Sequence, residues 1–354
     1  MKTEHILIIR FSAIGDVAMM VPVVYTLAHQ YPNVRITVLS RPFARHLFEN
    51  LLPNVGFMEA DLKNEYRGMK GLNALFRRLS AKRFTAIADL HNIIRSSYLR
   101  MLFNISRYKV AHIDKHRKGK HQLVSKNNKV LEQQPTSFQN YADVFRRLGY
   151  PIDIENSPFT SIFPPEGGLL RQLPPEIGEK KSFQQWIGIA PYAAHKGKIY
   201  PIPLMTQVIE RLVKNHPSCR IFFFGGGPSE MRQFNQWAAQ YKQCINASAL
   251  LDGIGQELIL MSHLDVMLSM DSANMHIASL VATPVVSVWG ATHPYAGFLG
   301  WRQQPENIVQ ADLSCRPCSV YGGRPCHRGD YACLNSIQPD TIVDTMERII
   351  NKEA

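Results

Sequence analysis

The pattern that most constrains this chain is an alternation of short apolar runs and helical apolar periods that starts at the N-terminus, stops, and starts again. "HILIIRFS" is short and apolar, as a strand buried on both faces requires. "DVAMMVPVVYTLAHQYP" follows, with Val17, Met20, Val21, Val24, Leu27 and Ala28 at helical spacing, and "VRITVLS" reads as the next strand. Such a strand–helix–strand unit pairs its strands in parallel through a right-handed crossover. "GLNALFRRLSAKRF" continues as a helix, "TAIADLH" as a strand, and "SFQNYADVFRRLGYP" as a helix ended by Gly149 and Pro151. Residues 151–182 are rich in Pro and Gly and lose the periodicity. The alternation then resumes with "QWIGIAPY", "PLMTQVIERLVKNHP", "CRIFFFGGGPSE", "EMRQFNQWAAQYKQ" and "LDVMLSMDSANMHIASLVATPVVSVWGATHP", and ends in the helix "PDTIVDTMERIINKE".

A pattern that restarts implies two cores, and 354 residues suffice for two. The expected architecture is α/β: two Rossmann-like domains with parallel sheets facing across a cleft. The expected boundaries are 1–165 for the first domain, 166–183 for a linker and 184–354 for the second.

Ligands of open α/β sheets collect at the carboxyl ends of strands, so the residues just after each strand carry the functional reading. "SAIGD" (12–16) lacks the spaced glycines of a dinucleotide site. Asp16 reads either as a helix N-cap or as a general base. In "APYAAHKGKIYP", Lys196 and Lys198 stand at a strand end, where an ammonium suits a phosphate. In "FFFGGGPSE", the glycines, Gly226 among them, allow close approach of backbone to a ligand. Glu230 there reads either as a ribose contact or as a carboxylate favouring the helix start. In "SMDSANMHIAS", Asp271 ends a strand, Ser272, Ala273 and Asn274 open a helix, and His276 lies on its first turn.

The formal charge of +12 favours anionic partners. Residues 107–129 concentrate the excess, with eight Lys or Arg, three His and one acidic residue. That stretch reads either as a mobile solvated loop or as a surface for an anionic partner. Tyr108 is its only aromatic, which argues against stacking on single-stranded nucleic acid. No apolar run reaches the roughly 18–20 residues of a membrane span. No secretory signal is evident, so the reading is cytoplasmic.

Together, "IRFSAIGDVAMMVPVV", "KIYP", "GGGPSE" and "DSANMHIASLVATPVVSVWGATHP" resemble glycosyltransferase family 9, the ADP-heptose–lipopolysaccharide heptosyltransferases and their relatives. The matching turns run in order from residue 6 to about residue 294. The resemblance implies a GT-B architecture, inverting transfer and no required metal. Asp16 would be the catalytic base, with Ser12 and Gly15 beside it at the acceptor. Lys198 would meet the donor phosphates together with Lys196, and Glu230 would lie near the ribose with Gly226. Asp271, Ser272, Ala273, Asn274 and His276 would form the donor block. The final helix would pack back on the N-terminal domain.

The implied donor is ADP-heptose. The implied acceptor is an anionic lipopolysaccharide core or related glycolipid, reached by peripheral contact at the inner membrane surface. The chain departs from the family pattern at three places. Ala273–Asn274 stands where Gly–Pro is usual, Gly290–Ala291–Thr292 where Gly–Pro–Thr is usual, and Tyr200 where Trp is common. An alternative keeps the fold and mechanism with a different nucleotide sugar and glycan acceptor.

Six cysteines are present, four of them clustered as C-x2-C-x7-C-x6-C: Cys315, Cys318, Cys326 and Cys333. The first pair makes a good half of a structural zinc site, while the second half lacks a tight pair. Reduced thiols or a local disulfide are the other readings. Zinc with the basic charge would suit a nucleic-acid-binding protein, but that class leaves the strand-end motifs unexplained, and no nucleic-acid partner is expected.

Overall fold

The computed structural model describes residues 4–352. Its contacts divide the chain into two compact units. The first comprises the chain up to Lys115 together with Pro135–Ile162; the second comprises His116–Gln134 and the chain from Phe163 on.

The first unit is built on five parallel strands: β1 (His5–Ile9), β2 (Arg35–Ser40), β3 (Val55–Glu59), β4 (Ala86–Asp89) and β5 (Lys109–His112). Their order is β3-β2-β1-β4-β5. The chain winds outward from β1 to β3 and then returns to the other side of β1. The order therefore reverses between β1 and β4, and the carboxyl ends of these two strands flank the expected ligand position. All of β1 and β4 is buried, which accounts for their continuous apolar runs.

The second unit repeats the plan with β6 (Trp186–Ala190), β7 (Arg220–Phe223), β8 (Cys244–Ile245), β9 (Val266–Met270), β10 (Val285–Trp289) and β11 (Ile308–Gln310). The order is β11-β10-β9-β6-β7-β8, again parallel throughout. Here the order reverses between β6 and β9. The core on one side of this sheet joins Ile187, Ile189, Phe223 and Leu268 to Met205, Ile209, Phe234 and Trp237 from the covering helices.

Three segments are placed by these contacts. First, residues 116–134 cluster with the second unit although their sequence neighbours on both sides belong to the first. They are not a loose loop. Arg117–Leu123 is helical, Lys120 is buried with its ammonium 4.3 Å from the Phe298 ring centre, and Lys129 donates to the carbonyls of Ser314, Arg316 and Pro317 at 3.2, 2.8 and 3.1 Å. Second, the stretch expected as linker is fastened to the second unit. Gly168 N–H donates to Ser262 Oγ, Lys180 pairs with Asp265, and Ile177 is fully buried. Third, the final helix, Pro339–Ile350, is part of the second unit. Its Ile342, Val343, Met346 and Ile349 lie in the core of that unit's own sheet.

Candidate active site

In the first unit, Ile9 and Asp89 stand in register at the ends of β1 and β4. The chain leaves β1 through Arg10, which is buried, and enters the short helix Ile14–Ala18. Arg10 Nη2 lies 2.7 Å from Asp16 Oδ2, and Arg10 Nη1 donates to the Leu90 carbonyl at the end of β4. The guanidinium also lies 5.6 Å from the centre of the Tyr141 ring, and the Tyr141 hydroxyl donates to the Asp16 carbonyl at 3.1 Å. Asp16 is not the N-cap; Ala13 holds that position, and Asp16 Oδ2 accepts the Ala13 N–H at 3.3 Å from the third helical position. Its carboxylate is thus aimed by a buried cation while about a third of the side chain (32%) stays open to solvent.

Beside it, His91 is buried, with Nδ1 3.4 Å from the Phe11 N–H and Nε2 3.4 Å from Ser12 Oγ. A ring carrying its proton on Nε2 satisfies both contacts. Burial first, then the positive charges of Arg10 and Lys115, lower the His91 pKa to about 3, so the ring is neutral near neutral pH. Ser12 therefore touches the turn through His91, and Gly15 is buried within the helix beside Asp16. Asp89 is fully buried. It accepts the His91 and Asn92 N–H groups at 3.0 and 2.9 Å and pairs with Arg100 at 2.9 Å, which fixes the loop that carries His91.

In the second unit, the reversal between β6 and β9 carries the matching arrangement. After β6 the chain turns through a single 3-10 turn, Lys196–Lys198. Lys198 Nζ lies 3.0 Å from Asp271 Oδ2, just past β9, and the Thr292 hydroxyl, past β10, donates to the same oxygen at 2.7 Å. Both side chains of the ion pair are largely buried, at 15% and 6% exposed. Lys196 points elsewhere, with its ammonium 5.1 Å from the Tyr331 ring centre.

The turn holding Lys198 is pressed against the loop after β10. Gly197 O accepts the Ala291 N–H at 2.8 Å, and a Cβ on Gly290 would stand 2.5 Å from that same oxygen. Gly322, at φ +83°, packs on the Lys198 stem, where a Cβ would meet Lys198 Cδ at 2.5 Å. Tyr200, one of the departures from the family pattern, is fully buried and donates its hydroxyl to Ile337 O at 2.8 Å.

Ser272 is the N-cap of Ala273–Ser279, with φ −145°, and its hydroxyl lies 3.2 Å from Ser269 Oγ. No left-handed backbone occurs at Ser272, Ala273 or Asn274, so alanine meets no steric cost where the family pattern has glycine. Asn274 is partly exposed on that first turn, and His276 is buried on the same helix. Glu230, third residue of the helix Pro228–Gln240, accepts the Gly226 N–H at 2.8 Å and so closes the glycine turn after β7.

The main organiser of this half was not among the expected residues. Arg316 lies inside the cysteine-rich stretch and is buried. It donates to the carbonyls of Gly290 at 2.5 Å, Trp289 at 3.1 Å, Thr292 at 3.0 Å and Ala311, and to Gln310 Oε1 at 3.0 Å. It thereby gathers the exits of β10 and β11. Nothing in an isolated "CRPC" marks its arginine as a carbonyl cap. The cysteines around it are free, and among the described residues no group of three or more His, Cys, Asp or Glu is placed to hold a metal ion.

A family model, glycosyltransferase family 9 (heptosyltransferase), matches residues 72–325, well over half of the chain. Lipooligosaccharide heptosyltransferase 2 of Campylobacter jejuni is 19% identical over 342 residues, covering 95% of this chain and 96% of that protein. Among solved structures, a family 9 glycosyltransferase from Veillonella parvula superposes with a TM-score of 0.76 at 17% identity, covering 99% and 98% of the two chains. The E. coli heptosyltransferase WaaC with ADP superposes with a TM-score of 0.66 at 15% identity, covering 98% and 99%. With two doubly wound sheets and its charged residues at both reversal points, the chain belongs to glycosyltransferase family 9, the heptosyltransferases.

Proposed function

We propose that this enzyme transfers a heptose from ADP-heptose to a sugar hydroxyl of a lipopolysaccharide core or related glycolipid, with inversion at the anomeric carbon. The observation that carries the reading is the Lys198–Asp271 pair, set where the second sheet reverses its order. A buried ammonium there suits an anionic leaving group, and the E. coli relative was solved with ADP.

Transfer is one displacement. Asp16 accepts the proton of the acceptor hydroxyl while the acceptor oxygen bonds to the anomeric carbon. The bond from that carbon to the phosphate oxygen breaks, and its electron pair leaves with ADP. A carboxylate is a weak base, but the hydroxyl becomes acidic as its new C–O bond forms, so a positioned weak base suffices. Lys198 has three N–H donors and keeps its bond to Asp271 while offering others to the diphosphate. Glu230 holds the glycine turn with one oxygen and offers its carboxylate to the ribose hydroxyls, with Gly226 beside it. Lys196, Ser272, Ala273, Asn274 and His276 complete the donor side, and Ser12 and Gly15 the acceptor side. No step in this scheme requires a metal.

The acceptor reading places the enzyme in the cytoplasm, in peripheral contact with the membrane that holds the glycolipid. Among the described residues, no helix is long and apolar enough to cross that membrane.

Calorimetric titration with ADP, UDP, GDP and CDP at one fixed salt concentration tests the donor. A preference for ADP that Lys198→Ala and Glu230→Ala both weaken supports the reading. A preference for another nucleotide keeps the fold and mechanism and rejects the heptose donor.

A further inference from the structure

We propose that one helical face of the first unit is the surface by which the enzyme docks on an anionic lipid bilayer. The helices Gly68–Ser80 and Ile94–Ile105 pack side by side: Phe76 meets Phe103 edge-on, and the Tyr98 hydroxyl donates to Asn73 Oδ1. On the second helix, Ile94, Tyr98, Met101 and Ile105 are spaced by four, three and four residues, so they fall on one stripe. Three of the four face outward, Ile94 at 90% exposed, Ile105 at 72% and Met101 at 46%, while Tyr98 between them is partly buried against the core. Met69, 64% exposed, extends the apolar surface onto the first helix, in line with Asn73 and thus with Tyr98. Large aliphatic side chains gathered in this way are unusual on a surface meant for water.

The charges beside the stripe identify the occupant. Neither helix contains an Asp or Glu. Lys70, Arg77 and Arg95 are exposed on them, and Arg67 is exposed at the first helix's N-cap. The nearest carboxylate, Glu65 ahead of the first helix, is paired with Arg78 at 3.8 Å, so the charges left beside the apolar side chains are cations, which match the anionic headgroups over the acyl region of a bilayer. A second copy of the chain would bring like charges together, which disfavours a self-paired face.

The position suits the reaction as well. Helix Ile94–Ile105 begins just past His91, whose ring lies 3.4 Å from Ser12 Oγ at the proposed acceptor side. Docking there puts the bilayer beside the point where a lipid-anchored sugar must arrive. The inference rests on the glycolipid reading for its purpose, but its test uses neither donor nor acceptor.

The test is co-sedimentation of the full chain with vesicles of phosphatidylglycerol and phosphatidylethanolamine, and with vesicles of phosphatidylcholine alone. The unmodified protein sediments with the first and not the second. Met101→Glu combined with Ile105→Glu lowers the apparent affinity for the anionic vesicles at least about tenfold, with unchanged circular dichroism and ADP affinity. Arg117→Glu combined with Lys118→Glu, on the basic segment of the second unit, leaves vesicle binding intact. The proposal is overturned if the helix-face variant sediments as the parent does. It is also overturned if only the 117/118 variant loses binding, or if the helix-face substitutions halve the solution mass of a dimer.

Discussion

Lys198 Nζ stands 3.0 Å from Asp271 Oδ2, and the same oxygen accepts the Thr292 hydroxyl at 2.7 Å, so three strand exits meet on one carboxylate. Removing either charge leaves the other largely buried without its main partner. Lys198→Met is expected to destabilise the enzyme by about 2–4 kcal/mol, since breaking a buried pair from one side costs more than the pair is worth. The double variant Lys198→Met/Asp271→Asn recovers part of that loss. Urea unfolding of the four proteins of this cycle measures the coupling. Additive single losses would show that the contact contributes nothing to stability. Both variants also lose ADP affinity, because the double variant restores neutrality but not the cation.

Asp16→Asn keeps an oxygen for the Ala13 N–H and removes the proposed base. The expected result is a fall in kcat of about 10²–10⁴-fold with KM for the donor little changed. Arg10 loses its 2.7 Å carboxylate partner, so a small loss of melting temperature accompanies it. Steady-state kinetics with ADP-heptose and a core acceptor check both numbers, and a kcat within twofold of the parent would remove Asp16 from the chemistry.

The buried strands are legible because burial on both faces leaves mostly apolar residues. "HILII", "RITVLS", "WIGIA" and "VVSVW" could be read directly for that reason. "VGFME" and "KVAH" carry no such signal. They form the edges β3 and β5, where residues are mixed in exposure and the apolar signal is diluted.

The strand-end residues Asp16, Lys198, Glu230 and Asp271 were legible by position, since each follows a recognisable strand. Their partners were not. Arg10 with Asp16 is local, but Asp271 meets Lys198 and Thr292 only through sheet order. Arg316 serves carbonyls up to 27 residues away, and Lys129 reaches a loop 187 residues further along. Contacts at that separation leave no periodicity to read.

Two histidines give the enzyme an acid sensitivity of definite sign. Burial is the first cause of depression in both, lowering His91 to about 3 and His293 to about 4. An unfolded histidine titrates near 6.5, so between about pH 6.5 and pH 4 the unfolded chain binds protons that the native one refuses. Stability is therefore full above pH 7 and falls as the pH is lowered through that window, by up to about 2 kcal/mol at pH 5 for His91 and by less for half-buried His293, whose charge solvent screens. His91→Gln reduces the slope. Urea midpoints between pH 7 and pH 5 test this, and a parallel decline in both proteins would show that His91 does not contribute.

Arg316 presents a planar fork to carbonyls of Trp289, Gly290, Ala311 and Thr292, and its own carbonyl accepts from Lys129 at 2.8 Å. Lysine carries the charge but cannot span that set. Arg316→Lys is expected to lose about 2–4 kcal/mol, close to the loss in Arg316→Ala, because buried carbonyls are left unsatisfied in both. Near-complete rescue by lysine in a thermal melt would show that charge alone matters there.

At Gly290–Ala291 the chain departs from the family's usual Gly–Pro. Ala291 uses its N–H to bond Gly197 O at 2.8 Å, and a proline has no N–H to give. Restoring the family's usual residue by Ala291→Pro therefore removes a bond that holds the Lys198 turn. Gly290→Ala attacks the same contact sterically, since its Cβ would lie 2.5 Å from Gly197 O, a backbone atom that cannot swing aside. Each substitution is expected to cost about 1–3 kcal/mol of stability. Each also weakens ADP binding, although neither residue carries a charge. The double variant loses little more than the worse single one, because both break one contact. Fully additive losses in melting temperature and ADP affinity would mean that the two residues act through separate contacts and that the Gly197 turn is not what positions Lys198.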